Sequence, residues 1–182
     1  VHIVGRGITL ISESGPAVTS LAPADPSLRT LHFEDNTGLE TTLSGFEITG
    51  SQAFCAVEIY RGTALVKDNV FSGNEVDAGA LVAGHGGGAV VGNIFTNNQG
   101  SFHGGGMQVA SWNPMLIADN TVIGNSATYG AGINLLGASN AVVKNNFIVD
   151  NHSLSYGGGI YLANSDAVNT IIHDNTIVNC TS

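Results

Sequence analysis

The chain has 182 residues, 43% apolar and only 10% charged, with 25 glycines and 4 prolines. That is one domain's worth of sequence with enough apolar side chain for a core, and too few lysines for long solvated helices. Five Lys and Arg against 14 Asp and Glu leave a formal charge of −9, which argues against nucleic acid and anionic membrane surfaces as partners, because both attract cations. No apolar run approaches the roughly 20 residues of a membrane span.

Residues 1–29 read as an irregular opening coil of a single domain, 1–182. Val1–Arg6 is not a signal peptide, and the missing initial Met is what a mature or trimmed piece would show. From residue 30 onward the chain repeats. The rows LVKDNVFSGN, AVVGNIFTNN, LIADNTVIGN, VVKNNFIVDN and IIHDNTIVNC align on Asn69, Asn93, Asn120, Asn146 and Asn175, at intervals of 24, 27, 26 and 29. A second column follows five residues on: Asn74, Asn98, Asn125, Asn151 and then Cys180. An earlier row, 42–51, fits with Phe46 in the first asparagine place.

Upstream of each row lies a strand-like segment: TLHFE, AVEIY, ALVAG, GMQVA, GINLL and GIYLA. Each repeat therefore holds three short strands, with apolar residues alternating at period two in the first. One repeat cannot enclose these side chains, but stacked repeats bury them in a continuous column. The expectation is an all-β parallel solenoid of about seven coils, three parallel sheets and an asparagine ladder, on the order of 35 Å tall at the usual strand spacing. Asparagine tolerates the left-handed bend, and its amide can bond to the copy one rung away. No capping helix is expected at either end, so strand edges would be exposed. Homo-oligomerisation through those ends, or a place within a longer solenoid, follows from this.

The pattern resembles the right-handed parallel β-helix repeat of the pectate-lyase-like superfamily, over roughly residues 30–180. The opening GITLISESGP and the segment 31–50 are similar to secreted bacterial members of unassigned activity. The resemblance implies an extracellular or cell-surface protein acting on, or binding, a polysaccharide or oligosaccharide. It also implies a cleft along the outside of the first sheet. The Gly84-His85-Gly86 triplet resembles one in polygalacturonases, whose paired-aspartate and Arg-x-Lys motifs are absent here.

The alternation assigns outward residues. One column reads His32, Glu58, Val82, Gln108, Asn134, Tyr161, headed by His2 if the opening coil keeps register. The next reads Glu34, Tyr60, Gly84, Ala110, Leu136, Ala163. In a weakly charged chain, the clustering of His2, His32, Glu34, Glu58 and the nearby Asp35, Tyr60 and Arg61 is informative. Carboxylates one rung apart, about 5 Å, can raise one another's pKa for acid/base work or suit a retaining glycosidase. Glu58 and Glu34 are the candidate acid/base groups, His32 the group that orients or shares the proton, and Arg61 the contact to an anionic substrate. Alternatively, His2, His32 and Glu58 can hold a divalent metal, in a chain for which no other cofactor is expected. The third reading is a solvated sheet face.

Asp77, His103, Tyr129 and Tyr156 each precede a first strand by the same interval, and Trp112 lies on the opposite rim near His85. With Tyr60, Gln108, Asn134 and Tyr161 they form the candidate sugar-binding set. Asp68, Asp119 and Asp174, each just before a ladder asparagine, are read as turn residues, with calcium as the alternative. Cys55 and Cys180 stand about five coils, roughly 24 Å, apart, too far for a disulfide. A non-catalytic adhesive or structural segment is the competing function.

Overall fold

A computed structural model describes residues 1–35, 41–137, 140–163 and 169–182. All regular elements among them are β-strands, and no helix is long and apolar enough to cross a membrane. Three parallel sheets each contain seven rungs, so the chain makes six full circuits between the first strand and the last rung. The first sheet comprises His2–Val4, Leu31–Glu34, Val57–Tyr60, Leu81–Gly84, Met107–Ala110, Ile133–Leu136 and Ile160–Ala163. The second runs from Thr9–Ile11 to Ile171–His173, and the third from Ser20–Leu21 to Thr176–Val178.

The register follows the alternation. His2 pairs with His32, His32 with Glu58, Glu58 with Val82, Gln108 with Asn134, and Asn134 with Tyr161. The residues between them point inward: Phe33, Ile59, Ala83, Val109 and Leu135 are all buried. Phe71 and Phe95, on neighbouring rungs of the third sheet, stack with ring centroids 4.6 Å apart. Each large side chain so enclosed contributes about 1.5–3 kcal/mol.

Both asparagine columns are continuous. After the first rung, where Asn69 and Asn74 accept the N–H groups of Phe46 and Ser51, each Oδ1 accepts the backbone N–H and the Nδ2 of the asparagine one rung before it, as Asn120 does for Asn93 at 2.9 and 3.1 Å. Each Nδ2 also donates to a backbone carbonyl of the previous rung, as Asn120 does to Val90 at 2.9 Å. Cys180 ends the second column, 3.7 Å from the amide of Asn151.

Two sequence expectations change. The left-handed residue at each bend is not the ladder asparagine but the one before it: Asp68, Gly92, Asp119, Asn145 and Asp174 have φ of 55°, 66°, 57°, 54° and 55°. Asp68, Asp119 and Asp174 are thus explained by backbone conformation. And there is a fourth sheet, formed by Glu75–Val76, Gln99–Gly100, Ser126–Tyr129 and His152–Tyr156 between the third sheet and the next first strand.

The last rung is open. Leu162, Ile172 and Ile177 pair in register with the buried Leu135, Val143 and Ile148, yet are themselves exposed. Cys55 and Cys180 are both free thiols.

Candidate functional site

The N-terminal end of the first sheet gathers the charge. His2 and His32, on adjacent rungs, stack with centroids 4.4 Å apart and planes within 5°. The His2 Nε2 lies 2.8 Å from Oε2 of Glu34. Arg61 approaches the other oxygen of Glu34 at 3.3 Å, and Asp35 at 2.9 Å. Across the sheet, Glu58 is buried and takes Arg29 at 3.0 Å and the His32 Nε2 at 3.2 Å on one oxygen. The Arg29 and Arg61 guanidiniums lie over the rings of Phe54 and Tyr60. A concavity of about 220 Å³, lined by Val1, His2, Leu28, Arg29 and His32, opens beside this cluster.

The hydrogen bond from His2, with help from His32 and Arg61, holds the Glu34 carboxyl below the usual carboxylate range. Partial burial, only partly offset by Glu58, moves His32 below the ordinary histidine value. Burial alone does the same for His103.

Two rows of rings flank the first sheet. Where the chain approaches these strands, His103, Tyr129 and Tyr156 align rung by rung, with centroid separations of 5.5 and 6.0 Å. Tyr161 joins them from the sheet itself, 5.9 Å from Tyr129 and 6.1 Å from Tyr156. Where the chain leaves, Tyr60, His85 and Trp112 meet edge to face at 5.8 and 5.6 Å. Arg61 and His85 occupy the left-handed region there, with φ of 52° and 55°.

A family model described as the right-handed beta helix region matches residues 30–182. The chain belongs to the right-handed β-helix family. No curated protein and no solved structure matches it.

Within this β-helix, the expected residues do not all share one open cleft. Gln108 and Asn134 are buried, and the Gln108 Oε1 and both amide atoms of Asn134 lack a hydrogen-bond partner among the described residues. The reason is the fourth sheet. Its strands turn into the first sheet through glycines that lie against this column, Gly79 and Gly104 against the Gln108 backbone and Gly130 against Asn134. Gln108 and Asn134 therefore cannot line an open groove. Asp77 is exposed at the start of the approaching row.

Glu34 and Glu58 are also not a direct pair. Glu34 sits opposite Tyr60 and Glu58 opposite His32, so the carboxylates lie on a diagonal, about 8 Å between Cα atoms from the strand spacing and rise. The hydrogen bond from His2 holds the Glu34 carboxyl low, which suits a base better than a general acid. The expected metal trio changes too: the group whose donor atoms lie within 4.8 Å of one another is His2, His32 and Glu34, because Glu58 is turned toward Arg29. Arg29 escaped notice because it lies in the opening segment, outside the repeat. The larger concavities, about 300 and 340 Å³, lie on the second sheet, among residues such as Thr42, Leu65 and Ala89 or Leu116 and Val142. Lys144 is their sole titratable lining residue, so they offer no paired chemistry.

Proposed function

We propose that this β-helix binds a polysaccharide along the outer side of its first sheet, as an extracellular or cell-surface protein. The observation that carries the reading is the pair of ring rows, His103–Tyr129–Tyr156–Tyr161 on one side and Tyr60–His85–Trp112 on the other. Sugar rings present apolar C–H faces that stack on aromatic side chains, and hydroxyls that suit Tyr, His and Trp polar edges. Between the rows, the second outward column is small at Gly84, Ala110 and Ala163, leaving room for a chain laid along the axis. Trp112 and Tyr156 are 65% and 60% exposed and so free to stack on a ligand.

A glycan array with the intact chain tests this. Binding to a polysaccharide class, weakened at least tenfold by Trp112→Ala or Tyr156→Ala, is the expected result. Absence of any glycan bound, or binding indifferent to both substitutions, overturns it.

Glu34 favours one catalytic version over another. Glycoside hydrolysis needs a neutral acid as well as an ionised carboxylate, and Glu34 suits only the second role, whereas an ionised carboxylate beside Arg61 suits proton abstraction next to an anionic sugar carboxylate. In that version Glu34 takes the proton from the carbon that bears the sugar carboxylate, and Arg61 balances the substrate charge. The electron pair forms a double bond to the neighbouring carbon as its bond to the glycosidic oxygen breaks, and that oxygen takes a proton from water. The assay is ultraviolet absorbance of the unsaturated product on uronate polymers. Turnover abolished in Glu34→Gln supports it, and turnover unchanged in that variant removes it.

A further inference from the structure

We propose that His2, His32 and Glu34 form a binding site for a divalent transition-metal ion of the zinc type. The site uses neither ring row, so it does not depend on glycan binding by the rings, but it shares Glu34 with the proton-abstraction version; assays of metal binding itself keep the two apart. Two imidazoles and a carboxylate are a donor set suited to such ions, while calcium and magnesium prefer oxygen alone. Three adjacent positions of one sheet supply it. The pairing of Leu31–Glu34 onto His2–Val4 sets the two rings side by side, and Glu34 stands two residues beyond His32 on the same face. The candidate donor atoms all lie within 4.8 Å of one another. Two ligands on one ion at about 2.1 Å can be at most about 4.2 Å apart. The trio therefore has to close by about half an ångström, and because the two stacked rings lie with their planes within 5°, one imidazole must also turn about its χ angles to aim its lone pair at the ion.

The surroundings are those of a ligand set with supporting partners. The His32 Nε2 faces the Glu58 carboxylate at 3.2 Å. The two atoms lie at ion-pair distance but are not hydrogen-bonded as they stand; brought into line, a proton on Nε2 would leave Nδ1 its lone pair, the carboxylate–histidine arrangement that orients metal ligands. Glu58 is in turn fixed by Arg29. Arg61 occupies Oε1 of Glu34, while Oε2 is the oxygen turned toward His2. His2 is half exposed and the adjoining concavity reaches solvent, which gives the ion a path in and open positions once bound. Glu58 and Arg29 act as positioning residues, not ligands.

The test uses the untagged chain, since a polyhistidine tag would bind the same ions. After incubation with Zn²⁺ and desalting, metal analysis should find one equivalent per chain. Titration with Co²⁺ should produce the visible absorption of a nitrogen- and oxygen-ligated ion. His2→Ala, His32→Ala and Glu34→Gln should each weaken Zn²⁺ binding by tenfold or more. Glu58→Gln should keep the stoichiometry but lose about 10–100-fold in affinity, and His173→Ala should change nothing. His2 contributes an exposed ring, so His2→Ala tests the site even if His32→Ala fails to fold. Less than a tenth of an equivalent retained, or a Co²⁺ spectrum unaltered in His2→Ala, overturns the proposal.

Discussion

Replacing Asn120 with alanine isolates one rung of the ladder. Asn120 is buried, and its Oδ1 accepts the backbone N–H of Asn93 at 2.9 Å while its Nδ2 donates to Val90 O and Asn146 Oδ1 at 2.9 Å each. Alanine keeps its own N–H bond to Asn146 but leaves the Asn93 N–H buried with no acceptor. That orphan costs about 1–3 kcal/mol, and the lost Nδ2 bonds about 1 kcal/mol each. A loss of about 3–5 kcal/mol, or about 6–20 °C in Tm for a chain of this size, is expected. Asn175→Ala is the internal control. The same bonds to Asn146 are made at 3.0 and 2.8 Å, but on the last rung where water can replace them, so about 1 kcal/mol is expected. The assay is urea unfolding followed both by far-ultraviolet circular dichroism and by Trp112 fluorescence. Coincident curves license the free-energy comparison. An Asn120→Ala loss no greater than that of Asn175→Ala would falsify the account of the ladder as a buried, mutually satisfied network.

The other predictions concern the core, a bend and a thiol. Phe95→Ala, which removes a fully buried ring from its stack on Phe71, should cost about 3–5 kcal/mol in the same urea assay; under 1 kcal/mol would mean the stack is not tightly packed. Gly88→Ala should abolish stable folding or cost more than about 4 kcal/mol, because φ is +115° and a Cβ would run into the Ala64 carbonyl. Gly137→Ala, with φ +62° and nothing within 4 Å, should cost only about 1–2 kcal/mol; equal effects of the two would discredit the clash. Burial pushes the Cys55 thiol up to about 12. Mass spectrometry after iodoacetamide at pH 8 should find Cys180 modified in the native chain and Cys55 only after unfolding. Between pH 9 and 12 the unfolded chain loses this proton and the folded chain keeps it. That site alone should therefore lower stability by about 1.4 kcal/mol per pH unit. A Cys55→Ala chain with the same alkaline slope would show that other groups set it.

The solenoid, its three main sheets and the vertical partners of each residue were readable from spacing, because period two and a repeating asparagine fix both strand and register. His2 above His32, and His32 opposite Glu58, came from that logic alone. Three things were not readable. Alternation says that Gln108 and Asn134 point away from the core, but not that a bend from the fourth sheet covers them. Column membership puts Glu34 and Glu58 near each other, but the direction in which each carboxylate turns depends on Arg61 and Arg29. And the asparagines marked the bends correctly while concealing that the left-handed backbone sits one residue earlier, at a mixture of aspartate, glycine and asparagine.

The ladder also divides the molecule into parts that keep time and parts that do not. Five positions always separate the two asparagine columns, whereas the distance from one circuit to the next varies through 24, 27, 26 and 29 residues. The variation falls in the connections that enter and leave the first sheet, and Arg61, His85 and Trp112 lie in those that leave it. Length changes in those connections reshape a binding rim without disturbing the stack, while a single residue gained or lost between paired asparagines would throw every later rung out of phase. Specificity and stability can thus drift apart in this architecture, one written in elastic segments and the other in a fixed metre.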